Sequence, residues 1–141
     1  MPPMLEERNV LIVDDSAQLR KILSKIVRDA GCTSIRQAGD GIQALAELKE
    51  SKFKNAPVDL ILLDWNMPNM SGLEFLKKIR ENPDHKETSV IMITAEAQRE
   101  NIIDAVKAGV NSYIVKPFSE ETVLGKLKSL IASENKQKNK Q

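Results

Sequence analysis

Three aspartates stand directly after two runs of bulky apolar residues. Asp14 and Asp15 follow Val10 to Val13, and Asp64 follows Leu60 to Leu63. Such runs are typical of strands that are buried on both faces of a sheet. An aspartate at the end of a buried strand can bind a metal ion, act as a nucleophile, or simply begin a polar loop. Asp64 taken alone favours the last interpretation, so the other strand ends decide among the three.

Two further apolar runs end in residues that suit an anion. Val90 to Ile93 is followed by Thr94, and Tyr113 to Val115 is followed by Lys116. The carboxyl ends of strands in an open α/β sheet border the crevice in which ligands bind. Neighbouring carboxylates repel one another there, and Mg²⁺ with oxygen ligands relieves this repulsion. With a lysine charge and a hydroxyl added, the pattern predicts a phosphoryl site in which Asp64 is the nucleophile.

The elements that must position these residues alternate along the chain. Strand-like segments at 9–13, 33–37, 60–63, 90–93 and 113–115 are each followed by an amphipathic helical pattern. This alternation predicts an α/β fold with right-handed crossovers and helices on both faces of a five-stranded parallel sheet. In the doubly wound, flavodoxin-like order 2-1-3-4-5, strands one and three are neighbours, so the three carboxylates would share one crevice.

Helix boundaries and faces are also predicted. Ser16, Ser71 and Ser119 occupy N-cap positions, with Glu74 completing a capping box, and Gly31 and Gly109 occupy C′ positions. The apolar face of the second helix is predicted to contain Ile42, Leu45, Ala46 and Leu48, and that of the fourth Ile102, Ile103, Val106 and Ala108.

Composition excludes several classes of protein. The 141 residues fit one domain, predicted at 9–132, with a flexible N-terminus at 1–8 and a disordered polar tail at 133–141. Lys and Arg number 21 against 20 Asp and Glu, which gives no reason to expect nucleic acid or a membrane surface as partner. Neither a signal sequence nor a long apolar run is visible, so a cytoplasmic protein is expected. Cys32, the only cysteine, is interpreted as a small buried hydrophobe.

Four short motifs together resemble the receiver domain of two-component response regulators. They are Val-Asp-Asp at 13–15, Asp-Trp-Asn-Met-Pro at 64–68, Ile-Thr-Ala at 93–95 and Lys-Pro-Phe at 116–118. The resemblance extends from Val10 to Leu130 and is closest to the chemotaxis regulators, whose known strand order, 2-1-3-4-5, is the source of the order expected here. It implies that Asp64 is the phosphoacceptor and that Asp15 and Asp64 bind Mg²⁺ directly.

The resemblance assigns further roles. Asn66 would bind Mg²⁺ through its backbone carbonyl and Asp14 through water. Thr94 and Lys116 would contact the phosphoryl oxygens, with a cis Lys116-Pro117 bond that aims the lysine. Tyr113 would be the switch aromatic whose rotamer reports phosphorylation, and Trp65 would report metal binding.

The resemblance also implies partners. A sensor histidine kinase would donate the phosphoryl group, a phosphatase would remove it, and the surface of helix 4, strand 5 and helix 5 would bind the flagellar motor switch. We expect a single-domain regulator, because no output domain follows Ile131. It would be monomeric and would catalyse only its own phosphorylation and dephosphorylation. Two alternatives within the fold remain open, a phosphate sink and a phosphorelay carrier. A receiver that is never phosphorylated is disfavoured, because every residue of the pocket is present.

Two other kinds of site are weaker interpretations. Gly39-x-Gly41-x-x-Ala44 matches a dinucleotide fingerprint, but it follows the second strand and no substrate domain accompanies it. An aspartyl phosphatase would need an acid where Asn66 stands, since that acid protonates the leaving group. His85 lies in a polar stretch and receives no chemical role.

Overall fold

The computed structural model describes residues 4–139, in which five strands alternate with five helices. The strands are β1 Asn9–Val13, β2 Ser34–Ala38, β3 Leu60–Leu63, β4 Ser89–Thr94 and β5 Ser112–Val115. The helices are α1 Ala17–Asp29, α2 Gly41–Phe53, α3 Gly72–Glu81, α4 Arg99–Lys107 and α5 Glu120–Asn139.

The strands form one parallel sheet in the order β2-β1-β3-β4-β5, which confirms the predicted fold and strand order. Val13 at the end of β1 pairs with Ala38 on one side and with Leu63 on the other. Thr94 at the end of β4 pairs with Val115. The register therefore brings the residues that follow β1, β3 and β5 to the same edge as Thr94.

Alternate strand residues supply two hydrophobic layers. Val10 and Ile12 face the layer covered by α1 and α5, whereas Leu11 and Val13 face the layer covered by α2 and α3. Every residue of β3 and β4 is buried, as expected for central strands with helices on both faces.

The three predicted serine N-caps are present, although the Glu74 carboxylate accepts the Ser71 hydroxyl at 3.3 Å in place of the backbone N–H that a capping box requires. The side-chain oxygens of Ser16, Ser71 and Ser119 accept the backbone N–H groups of Leu19, Glu74 and Thr122. Gly31 and Gly109 both have left-handed backbone conformations, with φ of 103° and 100°. A residue without a Cβ adopts these angles readily, so both glycines end their helices.

Two predicted helix faces were wrong in part. On α2 the buried positions are Gly41, Ala44, Leu48 and Ser51, while Ile42 is 56% exposed. Small residues face inward there because the helix lies close to the sheet and to the loop after β3. Within α4, whose residues are all described, Ala105 is the buried one and Val106 is 61% exposed.

Described residues near both ends of the chain contact the rest of the domain. Leu5 is fully buried, and its N–H donates to the carbonyl of Ala30 at 2.9 Å. Helix α5 continues through the predicted tail to Asn139, and Glu134 within it accepts hydrogen bonds from Arg8 at 2.7 Å and Ser89 at 2.6 Å. Residues 4–8 and 133–139 thus contact the rest of the domain in the structure, while the predicted domain bounds of 9–132 stay a prediction and 1–3, 140 and 141 lie outside the described residues.

No helix within residues 4–139 has the length and apolar character needed to span a bilayer.

Gly41 is explained by packing, since a Cβ there would lie 2.8 Å from the Met70 sulfur. The glycine that suggested a dinucleotide loop is thus required by the neighbouring loop.

Candidate functional site

Backbone hydrogen bonds between strand ends bring the predicted residues together. The N–H of Asp64 donates to the carbonyl of Val13 at 2.9 Å, and the N–H of Lys116 donates to the carbonyl of Thr94 at 2.8 Å. Each site residue is therefore the continuation of a strand or its last member. The sheet itself sets the spacing of the site.

Asp14, Asp15 and Asp64 form one acidic cluster. Each offers a carboxylate oxygen, and these oxygens lie within 4.8 Å of one another. The Asp14 and Asp64 side chains are buried, whereas Asp15 is exposed at the mouth of the site. A donor set made only of oxygens, open to solvent on one side, fits Mg²⁺, which keeps several of its waters.

Lys116 supplies the positive charge beside this cluster. Its Nζ lies 3.0 Å from Asp14 Oδ2 and 3.3 Å from Asp64 Oδ2. The other oxygen of Asp14 accepts the backbone N–H of Ser16 at 2.8 Å. Asp14 is thus held at both oxygens, and Asp64 is held less closely, since its Oδ1 accepts the backbone N–H of Asn66 at 3.4 Å.

The environment raises the pKa values of both Lys116 and Asp64. Burial, reinforced by the charge of Asp14, raises the pKa of Asp64 above its ordinary value despite the opposing hydrogen bond from Thr94 and the charge of Lys116. Burial acts to lower the pKa of Lys116, but its bonds and charge interactions with Asp14 and Asp64 outweigh it, and that pKa is raised. Lys116 therefore stays protonated at neutral pH.

Thr94 and Tyr113 connect the site to the β4–α4 loop. Thr94 is fully buried, its hydroxyl acts to lower the pKa of Asp64, and the same hydroxyl accepts the N–H of Glu96 at 3.3 Å. The Tyr113 hydroxyl donates to the carbonyl of Glu96 at 2.6 Å. Burial, followed by the charges of Glu96 and Asp64, raises the pKa of Tyr113 to about 12.

The Glu96 carboxylate bridges two elements over the site. Its Oε1 accepts from Asn66 Nδ2 at 2.7 Å, and its Oε2 accepts from Asn101 Nδ2 of α4 at 3.1 Å. The sequence indicated Asn66 as a site residue, whereas the role of Asn101 was missed. The available signal was the position of Asn101 in the first turn of α4, and asparagines at such positions are too common to identify one of them as functional.

The loop from Trp65 to Ser71 lies against the end of β3. A Cβ on Gly72 would clash with the carbonyl oxygen of Asp64, so only glycine fits where the loop returns. The half-buried Trp65 packs against the hydrophobic layer below and is adjacent to Asp64. On the opposite side of the site, the Lys116-Pro117 bond is cis, as the family resemblance implied.

His85, which received no role from the sequence, is not part of the acidic cluster. It is buried, with Nδ1 3.2 Å from the Thr88 hydroxyl, and burial lowers its pKa. Its carbonyl accepts Arg80 Nη1 of α3 at 2.9 Å, so its contacts stabilise the α3–β4 connection.

A sheet with this order, carrying acids, a hydroxyl and a lysine at these strand ends, defines a receiver-type α/β protein. The family model for the response regulator receiver domain matches residues 10–128, and the chain belongs to that family.

Its relatives include chemotaxis proteins. The chain is 48% identical over 118 residues to the chemotaxis protein CheY-3 of Vibrio cholerae, covering 84% of this chain and 87% of that protein. It is 40% identical over 126 residues to the chemotaxis protein CheY of Pseudomonas aeruginosa, covering 89% and 98%. The CheX-CheY-BeF3-Mg²⁺ complex of Borrelia burgdorferi matches with a TM-score of 0.80 and 35% identity, covering 88% of this chain and 89% of the other.

Proposed function

We propose that this chain is a cytoplasmic chemotaxis response regulator that accepts a phosphoryl group on Asp64 from a sensor histidine kinase. The observation that carries the proposal is the buried Asp64 carboxylate at the end of β3, with Lys116 Nζ 3.3 Å away and the two other aspartates beside it. Membership of the receiver family and the chemotaxis names of its relatives support the same conclusion.

In the proposed transfer, a carboxylate oxygen of Asp64 attacks the phosphorus of a phosphohistidine. The new P–O bond forms as the P–N bond breaks, and the departing imidazole takes up a proton. Lys116 moves its charge from the carboxylates to the incoming phosphoryl oxygens, and the Thr94 hydroxyl donates to another of them. Phosphoryl transfer needs mainly this positioning and charge stabilisation.

A magnesium ion completes the proposed site. Asp15 and Asp64 would bind it directly, Asn66 through its backbone carbonyl, and Asp14 through water. When bound, Mg²⁺ supplies positive charge that offsets the three carboxylates and the transferred oxygens. The Borrelia burgdorferi relative was solved with Mg²⁺ and BeF3, which supports the same chemistry for this chain.

The proposed switch passes through the β4–α4 loop. Movement of Thr94 towards the phosphoryl group changes the space below Tyr113, whose hydroxyl already contacts the Glu96 carbonyl. Exposed apolar side chains lie on α4 and β5, namely Ile103, Val106 and Val115. A surface of this kind suits a protein partner, and we assign it to the flagellar motor switch.

The signal ends when water attacks the phosphorus and releases inorganic phosphate from Asp64. A phosphatase is the proposed partner for this step. The chain itself catalyses only its own phosphorylation and dephosphorylation.

Intact mass after incubation with acetyl phosphate and Mg²⁺ tests the acceptor and the metal. One phosphoryl adduct is expected, and it should be absent from the Asp64→Asn variant and from a chelated sample. An adduct that persists in Asp64→Asn would contradict the assignment of the acceptor.

Binding of the phosphorylated protein to the motor switch tests the output. Phosphorylated or BeF3-treated protein should bind at least several-fold more tightly than the untreated form. A phosphorylated protein with unchanged affinity would instead favour the phosphate sink or the phosphorelay carrier.

A further inference from the structure

The β3–α3 loop is tied to the start of α2 by one side-chain hydrogen bond. Asn69 Nδ2 donates to Asp40 Oδ2 at 3.0 Å, and Asp40 Oδ1 accepts the backbone N–H of Gln43 at 2.8 Å. Asp40 is 8% exposed. These two hydrogen bonds lower the pKa of Asp40, so it stays charged and is a strong acceptor at neutral pH.

The backbone of the loop depends on Asn69. Its φ is +69°, a left-handed conformation that asparagine tolerates better than most residues. The turn is closed by the N–H of Met70 donating to the carbonyl of Pro68 at 2.7 Å, and by the N–H of Gly72 donating to the carbonyl of Trp65 at 2.8 Å.

Close packing limits the alternative positions of the loop. Met70 fills the space over Gly41, and Gly72 lies directly on the carbonyl of Asp64. The loop therefore contacts the N-terminus of α2 on one side and the phosphoryl site on the other. Asp40 and Asn69 provide the polar connection between these two contacts.

We propose that Asp40 and Asn69 are positioning residues for Mg²⁺ at the acidic cluster. Their bond fixes the segment that carries the Asn66 carbonyl, so the loop does not have to be ordered when the metal binds. A ligand held in place beforehand loses less conformational entropy on binding, which raises affinity. This inference rests on the proposed function, since it concerns the metal of that site.

Two variants remove the bond while they keep the local backbone. Asn69→Gly permits the left-handed conformation and loses the donor. Asp40→Ser keeps an N-cap acceptor for α2 but is too short to reach Asn69. Each is expected to weaken Mg²⁺ binding roughly threefold to tenfold, the range for one partly shielded hydrogen bond. The double variant should lose no more than either single variant, because both remove the same interaction.

Mg²⁺ affinity is measured by the fluorescence of Trp65, the only tryptophan, and independently by titration calorimetry. Asn55→Gly is the matched control, because Asn55 is also left-handed, with φ of 60°, and lies at the far end of α2. Its Mg²⁺ affinity should equal that of the parent protein.

The outcomes separate this inference from the function on which it rests. If the parent binds Mg²⁺ and becomes phosphorylated while both variants keep its Mg²⁺ affinity within twofold, the positioning role is wrong. This conclusion would hold even if the variants have a lower free energy of unfolding, since reduced stability alone shows only that the bond stabilises the fold. A parent protein that binds no Mg²⁺ would overturn both the inference and the proposed metal site.

Discussion

Replacing Asp64 with asparagine should stabilise the metal-free protein. The structure places Asp64 within 4.8 Å of Asp14 and 3.3 Å from Lys116. At an effective dielectric constant of about 20, unit charges at these distances repel by roughly 3.5 kcal/mol and attract by roughly 5 kcal/mol. Asp15 adds further repulsion, so the charge effects nearly cancel.

Burial then decides whether the substitution raises or lowers the free energy of unfolding. It is the largest cause of the raised pKa of Asp64, which means that the folded protein disfavours the ionised carboxylate. Asparagine has nearly the same shape, carries no charge and can still accept the Thr94 hydroxyl. Asp64→Asn is therefore expected to raise the free energy of unfolding by about 1–3 kcal/mol at neutral pH, the scale for one incompletely compensated buried group.

The assay is urea unfolding at neutral pH, with a chelator and then with Mg²⁺. At ten times its dissociation constant, Mg²⁺ should stabilise the parent by about 1.4 kcal/mol and the variant much less, so the difference narrows. Because the pKa of Asp64 is raised in the folded protein, the parent regains stability as pH falls through that raised pKa, so the difference should also shrink on acidification and be nearly absent below about pH 4. Asp29→Asn, an exposed acid on α1, is the control and should change stability by less than about 0.5 kcal/mol.

The reasoning is refuted if Asp64→Asn is no more stable than the parent in chelator while Asp29→Asn behaves as expected. An advantage that persists undiminished in saturating Mg²⁺ would equally contradict it, since the metal is expected to relieve the same repulsion.

The remaining predictions concern structure away from the acidic cluster. Arg80→Lys should lower the free energy of unfolding by about 2 kcal/mol, because the guanidinium donates five hydrogen bonds to the α3–β4 and α4–β5 loops. The exposed control Arg28→Lys should have little effect, and equal urea midpoints for the two variants would contradict the prediction. Burial lowers the pKa of His85, so the unfolded chain binds a proton more readily and stability should fall between about pH 7 and 5. A His85→Gln variant with the same pH slope would exclude that cause. Arg8→Met should speed hydrogen exchange in the last turns of α5 by removing a partner of Glu134, and unchanged exchange there would show that the helix end is held by other contacts.

The sequence predicted the strands and the residues that follow them because both depend on short-range patterns, whereas the strand order came from the family resemblance. A strand buried on both faces is one apolar run, and the first polar residue after it must lie at the sheet edge. Asp64, Thr94 and Lys116 were therefore located without knowledge of any contact between them. The caps at Ser16 and Ser71 were equally local, since each involves residues three apart.

The features that the sequence did not predict depend on residues far apart in the chain. Asp40 and Asn69 are 29 residues apart, and Arg8 and Glu134 are 126 apart. Neither pair has a characteristic spacing. The inward face of α2 was also missed, because Ile42 is far more hydrophobic than Gly41 and yet Gly41 faces inward, where a Cβ would already lie 2.8 Å from the Met70 sulfur. Hydrophobicity alone cannot rank two residues when the available space decides between them.

The packing of α4 supports the proposed influence of the site on that helix. A helix with one buried side chain gains little from the hydrophobic core, so its position depends on the contacts at its two ends. At the N-terminal end Asn101 donates to Glu96, whose carbonyl accepts Tyr113, and at the C-terminal end Arg80 donates to the carbonyl of Gly109. The first end is adjacent to Thr94 and the second is remote from it. A rearrangement at Thr94 would therefore alter one end of α4 while Arg80 holds the other, and the exposed side chains of Ile103 and Val106 would turn with the helix.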